Sequence, residues 1–261
     1  MTTVSSEEAI RYGRQISLPE IGSHGQFKLK QARVFIAGIG GLGSVSAYYL
    51  AAAGIGSIRI ADMDSVEAEN LNRQILHGTG DIGRPKTLSA REKLRNLNPY
   101  CDVEPIQETI TNENILDMIE GCDVILDGTD NLNTRKIINR ASILKNIPFI
   151  YAGVHGFTGM VATFIPGHTP CLECLFSGDA GQKGPIGTIG PVPGIAASIQ
   201  SLEAIKFILG TGGLLKEKLL YFNGTDMTFR KIAMEKNPDC RACGSNADIG
   251  LFTHPSKKTL K

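Results

Sequence analysis

The chain has 261 residues, 42% hydrophobic and 20% charged, with a formal net charge of +1. This composition suits a globular fold with a sizeable core and excludes a disordered or collagen-like chain, while the near-zero charge gives no footprint for nucleic acid or an anionic membrane surface. Met1 to Glu8 lack a basic run followed by an apolar core, and no stretch approaches the ~20 apolar residues that span a bilayer; the expectation is a cytoplasmic protein.

In chain order, residues 7–29 mix helical periodicity with turn residues at Pro19, Gly22 and Gly25, and read as a separate N-terminal helical arm (1–30). Arg33-Val34-Phe35-Ile36-Ala37 is β-prone and runs into Gly38-Ile39-Gly40-Gly41-Leu42-Gly43. Gly38, Gly40 and Gly43 have G-x-G-x-x-G spacing, which brings backbone close to a phosphate at the start of a helix, here over 42–53. The bland alternative is a strand-to-helix turn with no ligand. A second strand, 57–62, ends in Asp62, about 20 residues on, where an acid accepts from ribose hydroxyls in dinucleotide-type folds.

Asn70, Arg73 and Gln74 follow in a polar stretch beyond that strand, on the edge where open α/β sheets bind ligands. Pro85 opens a helix to about residue 97. Lys86 then lies at a helix start, where a cation is unfavourable unless an anion joins it, so a phosphate is hinted at. Further elements are a strand at 103–107, a helix at 112–119, an apolar strand at 123–127 and a helix at 131–145. Asp130 and Asn131 fall at that helix start, where N-capping explains them as well as ligand binding does. Strands at 148–153 and 161–165 are joined by too short a connection for a parallel crossover. The expected fold is α/β: a Rossmann-like sheet, parallel in its first half and mixed in its second, with helices on both faces.

Cys171-Leu172-Glu173-Cys174 and Cys240-Arg241-Ala242-Cys243 make two C-x-x-C pairs. Two such turns complete a closed, structural four-sulfur zinc site; the rival is a redox dithiol, which leaves one pair unexplained. Cys101 and Cys122 read as packing residues. Residues 177–194 are so rich in glycine and proline that irregular structure is expected, in a loop crossing a surface and able to cover a site. A buried helix at 194–209, with Glu203 and Lys206 as neighbours, precedes a hairpin of strands 219–223 and 227–232. Residues 245–261 read as a flexible tail, and one domain spans 1–261.

Together, Arg11-Tyr12-Gly13-Arg14-Gln15, the glycine loop, Asp62-Met63-Asp64, Asn70-Leu71-Asn72-Arg73-Gln74, Gly83-Arg84-Pro85-Lys86, Asp127-Gly128-Thr129-Asp130-Asn131 and the cysteine pairs resemble the MoeB/ThiF/HesA adenylyltransferases, relatives of ubiquitin-activating enzymes. The resemblance implies that ATP activates the C-terminal carboxylate of a ubiquitin-like sulfur-carrier protein (MoaD/ThiS-like) ending in Gly-Gly, as an acyl-adenylate, with release of pyrophosphate. It implies a nucleotide site of Gly38, Gly40, Gly41, Gly43, Asp62, Asp64, Asn70, Arg73, Gln74, Lys86, Asp130 and Asn131, with Mg²⁺ on Asp130. The catalytic set would be Asp130, Arg73, Lys86 and Arg14, Arg14 reaching across a homodimer. Residues 177–193 carry no cysteine for a later thioester or persulfide step. Three readings remain beside this one: a small-molecule or peptide carboxylate as acceptor, an NAD(P)-dependent oxidoreductase, and a non-catalytic zinc-stabilised binding module.

Overall fold

A computed structural model describes residues 4–178, 187–245 and 247. The chain opens with short helices α1 (Ser6–Arg11), α2 (Gly13–Ile16) and α3 (Gly22–Gln31). Ser5 and Glu8 cap α1 reciprocally, each side chain accepting from the other's backbone N–H. Glu8 also meets Lys30 Nζ at 2.8 Å, and the Tyr12 hydroxyl accepts from Asn98 Nδ2 at 2.8 Å. The arm is therefore tied into the body rather than standing apart from it.

The nucleotide half follows as β1 (Arg33–Ala37), α4 (Gly41–Ala53), β2 (Ser57–Ala61), α5 (Lys86–Leu97), β3 (Asp102–Ile106), α6 (Ile115–Met118), β4 (Val124–Asp127), α7 (Leu132–Lys145) and β5 (Phe149–His155). The remainder is β6 (Thr158–Phe164), α8 (Leu172–Leu175), α9 (Pro191–Leu209), β7 (Lys218–Asn223) and β8 (Thr228–Ala233). All eight strands form one sheet in the order β3-β2-β1-β4-β5-β6-β7-β8. From β3 to β5 every pairing is parallel, and from β5 to β8 every pairing is antiparallel. This is the mixed sheet expected from the short 153–161 connection.

Alternation along β1 divides the core. Val34 and Ile36 face a cluster with Leu50 of α4, Leu94 of α5 and Ala197 of α9, whereas Phe35 and Ala37 face Ile115 of α6 and Ile138 of α7. Helices thus cover both faces, as parallel strands require.

Three boundaries differ from expectation for physical reasons. The helix expected at 112–119 shrinks to α6 because Asn114 bonds the preceding loop: its Oδ1 accepts from Thr111 N at 2.8 Å and its Nδ2 donates to Thr109 O at 2.9 Å. The strand expected at 161–165 begins at Thr158, and Gly159 lies within it, because the Phe222 ring occupies the space 2.3 Å from where its Cβ would stand. Pro191 and Pro193 do not break structure; they form the first turn of α9, where a missing N–H costs no hydrogen bond.

α9 also corrects the expectation that no stretch approaches membrane-spanning length. Pro191–Leu209 has a mean hydropathy of 1.3 and is long and apolar enough to cross a bilayer, yet half of it is buried against α4, β5 and β6. It is the central core helix. Its polar residues work inward: Gln200 is fully buried, and its Nε2 donates to Asp127 O at 3.0 Å and Ile150 O at 2.7 Å. Glu203, paired with Lys206 as expected, also accepts from Thr163 Oγ1 and Leu215 N, both at 2.7 Å. Of the loop at 177–194, residues 179–186 lie outside the described residues, as does the tail beyond Ser245 apart from Ala247.

Candidate active site

Five parallel strands bring their carboxyl ends to one edge of the sheet, and a cleft of about 1150 Å³ runs along it. Its wall follows strand order: residues 108–110 after β3, 62–64 after β2, 38 and 40–42 after β1, 128–132 after β4, and Tyr151 and Val154 from β5.

At the middle lies the glycine loop. Gly38 has φ +87°, and a Cβ there would lie 2.7 Å from Gly128 O, so the turn requires glycine. At Gly43 a Cβ would stand 2.0 Å from Gly38 O, which fixes how closely α4 packs on the strand end. Gly40 caps α4 with no side chain, leaving the first-turn amides and the positive end of the helix dipole directed at the cleft. Asp62 pins this loop, its two oxygens accepting from Ile39 N and Asp64 N at 2.8 Å each. Burial pushes the Asp62 carboxyl up from its usual range, while the Ile39 amide and Lys86 pull the other way.

Lys86 and Arg73 line the same cleft, as does Arg135. Lys86 is 5% exposed, and its ammonium donates to Asp64 Oδ2 at 2.8 Å. The anion that its helix-start position calls for is thus already present within the chain, and Lys86 alone does not signal phosphate. Asp64 takes one of the three ammonium donors. Arg73 Nη1 donates to Glu69 O at 2.9 Å and Asn72 Oδ1 at 3.1 Å, which holds the guanidinium at the cleft wall. Gln74 also lines the wall and is buried, and its Oε1 has no hydrogen-bond partner.

Asp130 is exposed at the wall beyond β4, and Asn131 caps α7, its Oδ1 accepting from Thr134 N at 2.8 Å. Gly43, Asn70 and Arg14 are not on the cleft wall. Asn70 is buried with its Oδ1 accepting from Glu67 N at 3.2 Å, and Arg14 is exposed on α2.

Sequence reasoning missed a buried group beneath Asp130. Asp127 is fully buried and pairs with Arg135 Nε at 2.8 Å, and its Oδ1 accepts from Thr129 N and Oγ1. Arg135 Nη2 donates to Thr129 O at 2.6 Å and Ala152 O at 3.1 Å, and the guanidinium lies 5.2 Å from the Tyr151 ring centre. The loop that presents Asp130 is therefore fixed from below by an ion pair and a turn. The available signal was Asp127 ending an apolar strand, with an arginine one turn into the next helix.

Away from the cleft, the four paired cysteines converge. Their Sγ atoms all lie within 4.8 Å of one another, with Cys171 to Cys174 at 3.9 Å, Cys171 to Cys240 at 3.6 Å and Cys174 to Cys243 at 3.4 Å. Zinc–sulfur bonds in a tetrahedron set edges of about 3.8 Å, so the donor set fits zinc. Burial first, and neighbouring sulfurs second, push the Cys171 thiol up, and a cation would offset the repulsion between thiolates held this close. The first turn is anchored to α7, where Arg140 grips Glu173 with two bonds of 2.9 Å and Asn139 Oδ1 accepts from Leu172 N at 3.0 Å. Cys101 and Cys122 are buried apart from this site, as packing residues.

Comparison with known proteins agrees with this arrangement. The model of the ThiF family matches residues 12–242. The SAMP-activating enzyme E1 of Haloferax volcanii is 38% identical over 240 residues, covering 90% of this chain and 88% of its own. The sulfur carrier protein adenylyltransferase of Thermus thermophilus is 38% identical over 250 residues, covering 92% of each. Among solved structures, E. coli MccB with ATP superposes with a TM-score of 0.81 at 28% identity, covering 92% of this chain and 75% of that one. The chain belongs to the ThiF family and is an adenylyltransferase of the MoeB/ThiF type.

Proposed function

We propose that this enzyme adenylates the C-terminal carboxylate of a ubiquitin-like sulfur-carrier protein ending in Gly-Gly. The observation that carries the reading is the convergence of a helix start with no capping side chain, Arg73, Lys86 and Asp130 on one cleft. A carboxylate oxygen of the carrier attacks the α-phosphorus of ATP and forms a C–O–P bond. The bond from that phosphorus to the oxygen bridging to the β-phosphate breaks, and pyrophosphate leaves with the electron pair.

The protein's part is positioning and charge neutralisation. Amides at Gly40 and Gly41 receive phosphate oxygens, Asp62 holds the ribose, and Arg73 and Lys86 offset charge on the departing pyrophosphate. Asp130 suits Mg²⁺ as an exposed carboxylate on the cleft wall, and the ion would neutralise negative charge on the polyphosphate. The cysteine cluster takes zinc as a closed structural site. Arg14 lies off its own cleft, which accords with a homodimer in which Arg14 acts in trans. ATP–pyrophosphate exchange with a candidate carrier tests the reading: exchange is expected with an intact Gly-Gly terminus and not after its removal, and equal exchange with both would refute it.

A further inference from the structure

Helix α2 is too short to hold itself, because one turn fixes more backbone freedom than its hydrogen bonds offset. It is held from both ends instead. Tyr12, its N-cap, is 3% exposed, and its ring packs on Gly54, where a Cβ would stand 2.7 Å from Cζ. The Tyr12 hydroxyl accepts from Asn98 Nδ2 at 2.8 Å, and the same nitrogen, buried at the end of α5, donates to Ala51 O at 2.6 Å. On the other side of Arg14, Gln15 Nε2 donates to Gln26 Oε1 at 2.8 Å and to Ala53 O at 3.0 Å, while Gln26 Nε2 donates to Ala53 O at 2.9 Å. Ala51 and Ala53 belong to the last turn of α4, whose carbonyls lack i+4 partners within the helix.

Tyr12 and Gln15 thus clamp Gly13 and Arg14 against the C-terminal end of α4. The Arg14 side chain is not clamped. It is exposed, and among the described residues its guanidinium enters no hydrogen bond or ion pair. A fixed backbone presenting an unengaged planar cation loses little freedom when that cation meets an anion. The glycine loop lies at the opposite end of α4, whose 13 residues separate it from the clamp by about 20 Å. Arg14 is accordingly absent from the wall of its own cleft.

We propose that Tyr12 and Gln15 are positioning residues: by fixing α2 on the end of α4 they aim Arg14 at the triphosphate in the cleft of a second copy of this chain. This rests on the reading of the enzyme as a homodimer in which Arg14 acts in trans.

The test assigns each substitution to one chain of a mixed dimer. One chain carries Arg14→Ala and keeps its cleft, the other carries Asp130→Ala and keeps its arginine, and different affinity tags isolate the mixed dimer alone. ATP–pyrophosphate exchange with a carrier ending in Gly-Gly is expected to return in this dimer, from the cleft that has both groups, and to stay far lower in either homodimer. Tyr12→Phe, and in a second set Gln15→Leu, is then placed on one chain or the other. On the arginine-donating chain it should lower kcat/KM by about tenfold, inside the ~10²-fold that a 1 Å misplacement can cost. On the cleft-bearing chain it should change nothing. Both arrangements hold the same substitutions, so a general loss of stability would lower them alike. Equal losses in both, or no loss in either, would overturn the clamp. A mixed dimer that regains no exchange would instead defeat the trans reading, and the clamp with it.

Discussion

The two halves of the sheet solve different problems. From β3 to β5 the strands are parallel, so five loops leave the same edge and their side chains converge on one cleft. From β5 to β8 they are antiparallel, so successive loops leave opposite edges and cannot build a shared wall. The second half is instead fastened by its four-cysteine cluster and by α9, which carries Gln200 and Glu203 into the sheet. Chemistry is thus expected to reside in the parallel half and integrity in the other.

That division can be broken from either side. The largest effect should come from Asp130→Ala, which is expected to lower exchange by about 10³-fold, as loss of a preorganised charge does, with melting temperature and zinc content unchanged. A fall in zinc content together with activity would mean the halves are not separable. Cys240→Ser should do the reverse, lowering the melting temperature by about 10 °C with loss of the metal. Exchange at low temperature should be retained in part; complete loss in a folded protein would give the cysteine cluster a role in the chemistry.

The smallest effect is a pH dependence within the parallel half. His77 is buried with its Nδ1 2.9 Å from Ser89 Oγ, and burial pushes its pKa down from 6.5 to about 4. The unfolded chain therefore takes up a proton at a higher pH than the folded one. Stability is full above the unfolded value and falls as pH drops from about 6.5 towards 4. Between pH 7 and 5 this amounts to about 2 kcal/mol. Comparing wild type with His77→Gln by denaturant unfolding at both pH values isolates it, because every other titrating group is common to both; identical pH slopes would contradict it.

What could be read in the sequence was what local chemistry dictates. Gly38 and Gly43 announce a turn no other residue can make, Asp62 follows at the spacing of a strand and a helix, and the cysteine pairs state their own geometry. Long-range partner choices could not be read. Asp127 with Arg135, and Gln200 beneath the end of β4 and the start of β5, depend on which strands lie side by side. Lys86 was half legible: its position calls for an anion, but only the fold shows that Asp64 supplies one. Asn114 shortened α6 because a side-chain amide competes for backbone groups, which periodicity does not register.

The central claim is that the cleft grips a triphosphate at the start of α4. A crystal structure with ATP and magnesium measures this directly. The account predicts phosphates on the amides of Gly40 and Gly41, with Lys86 and Arg73 turned toward them and Asp130 at the metal. A nucleotide bound elsewhere, or one in the cleft with Lys86 still engaged only by Asp64, would contradict it.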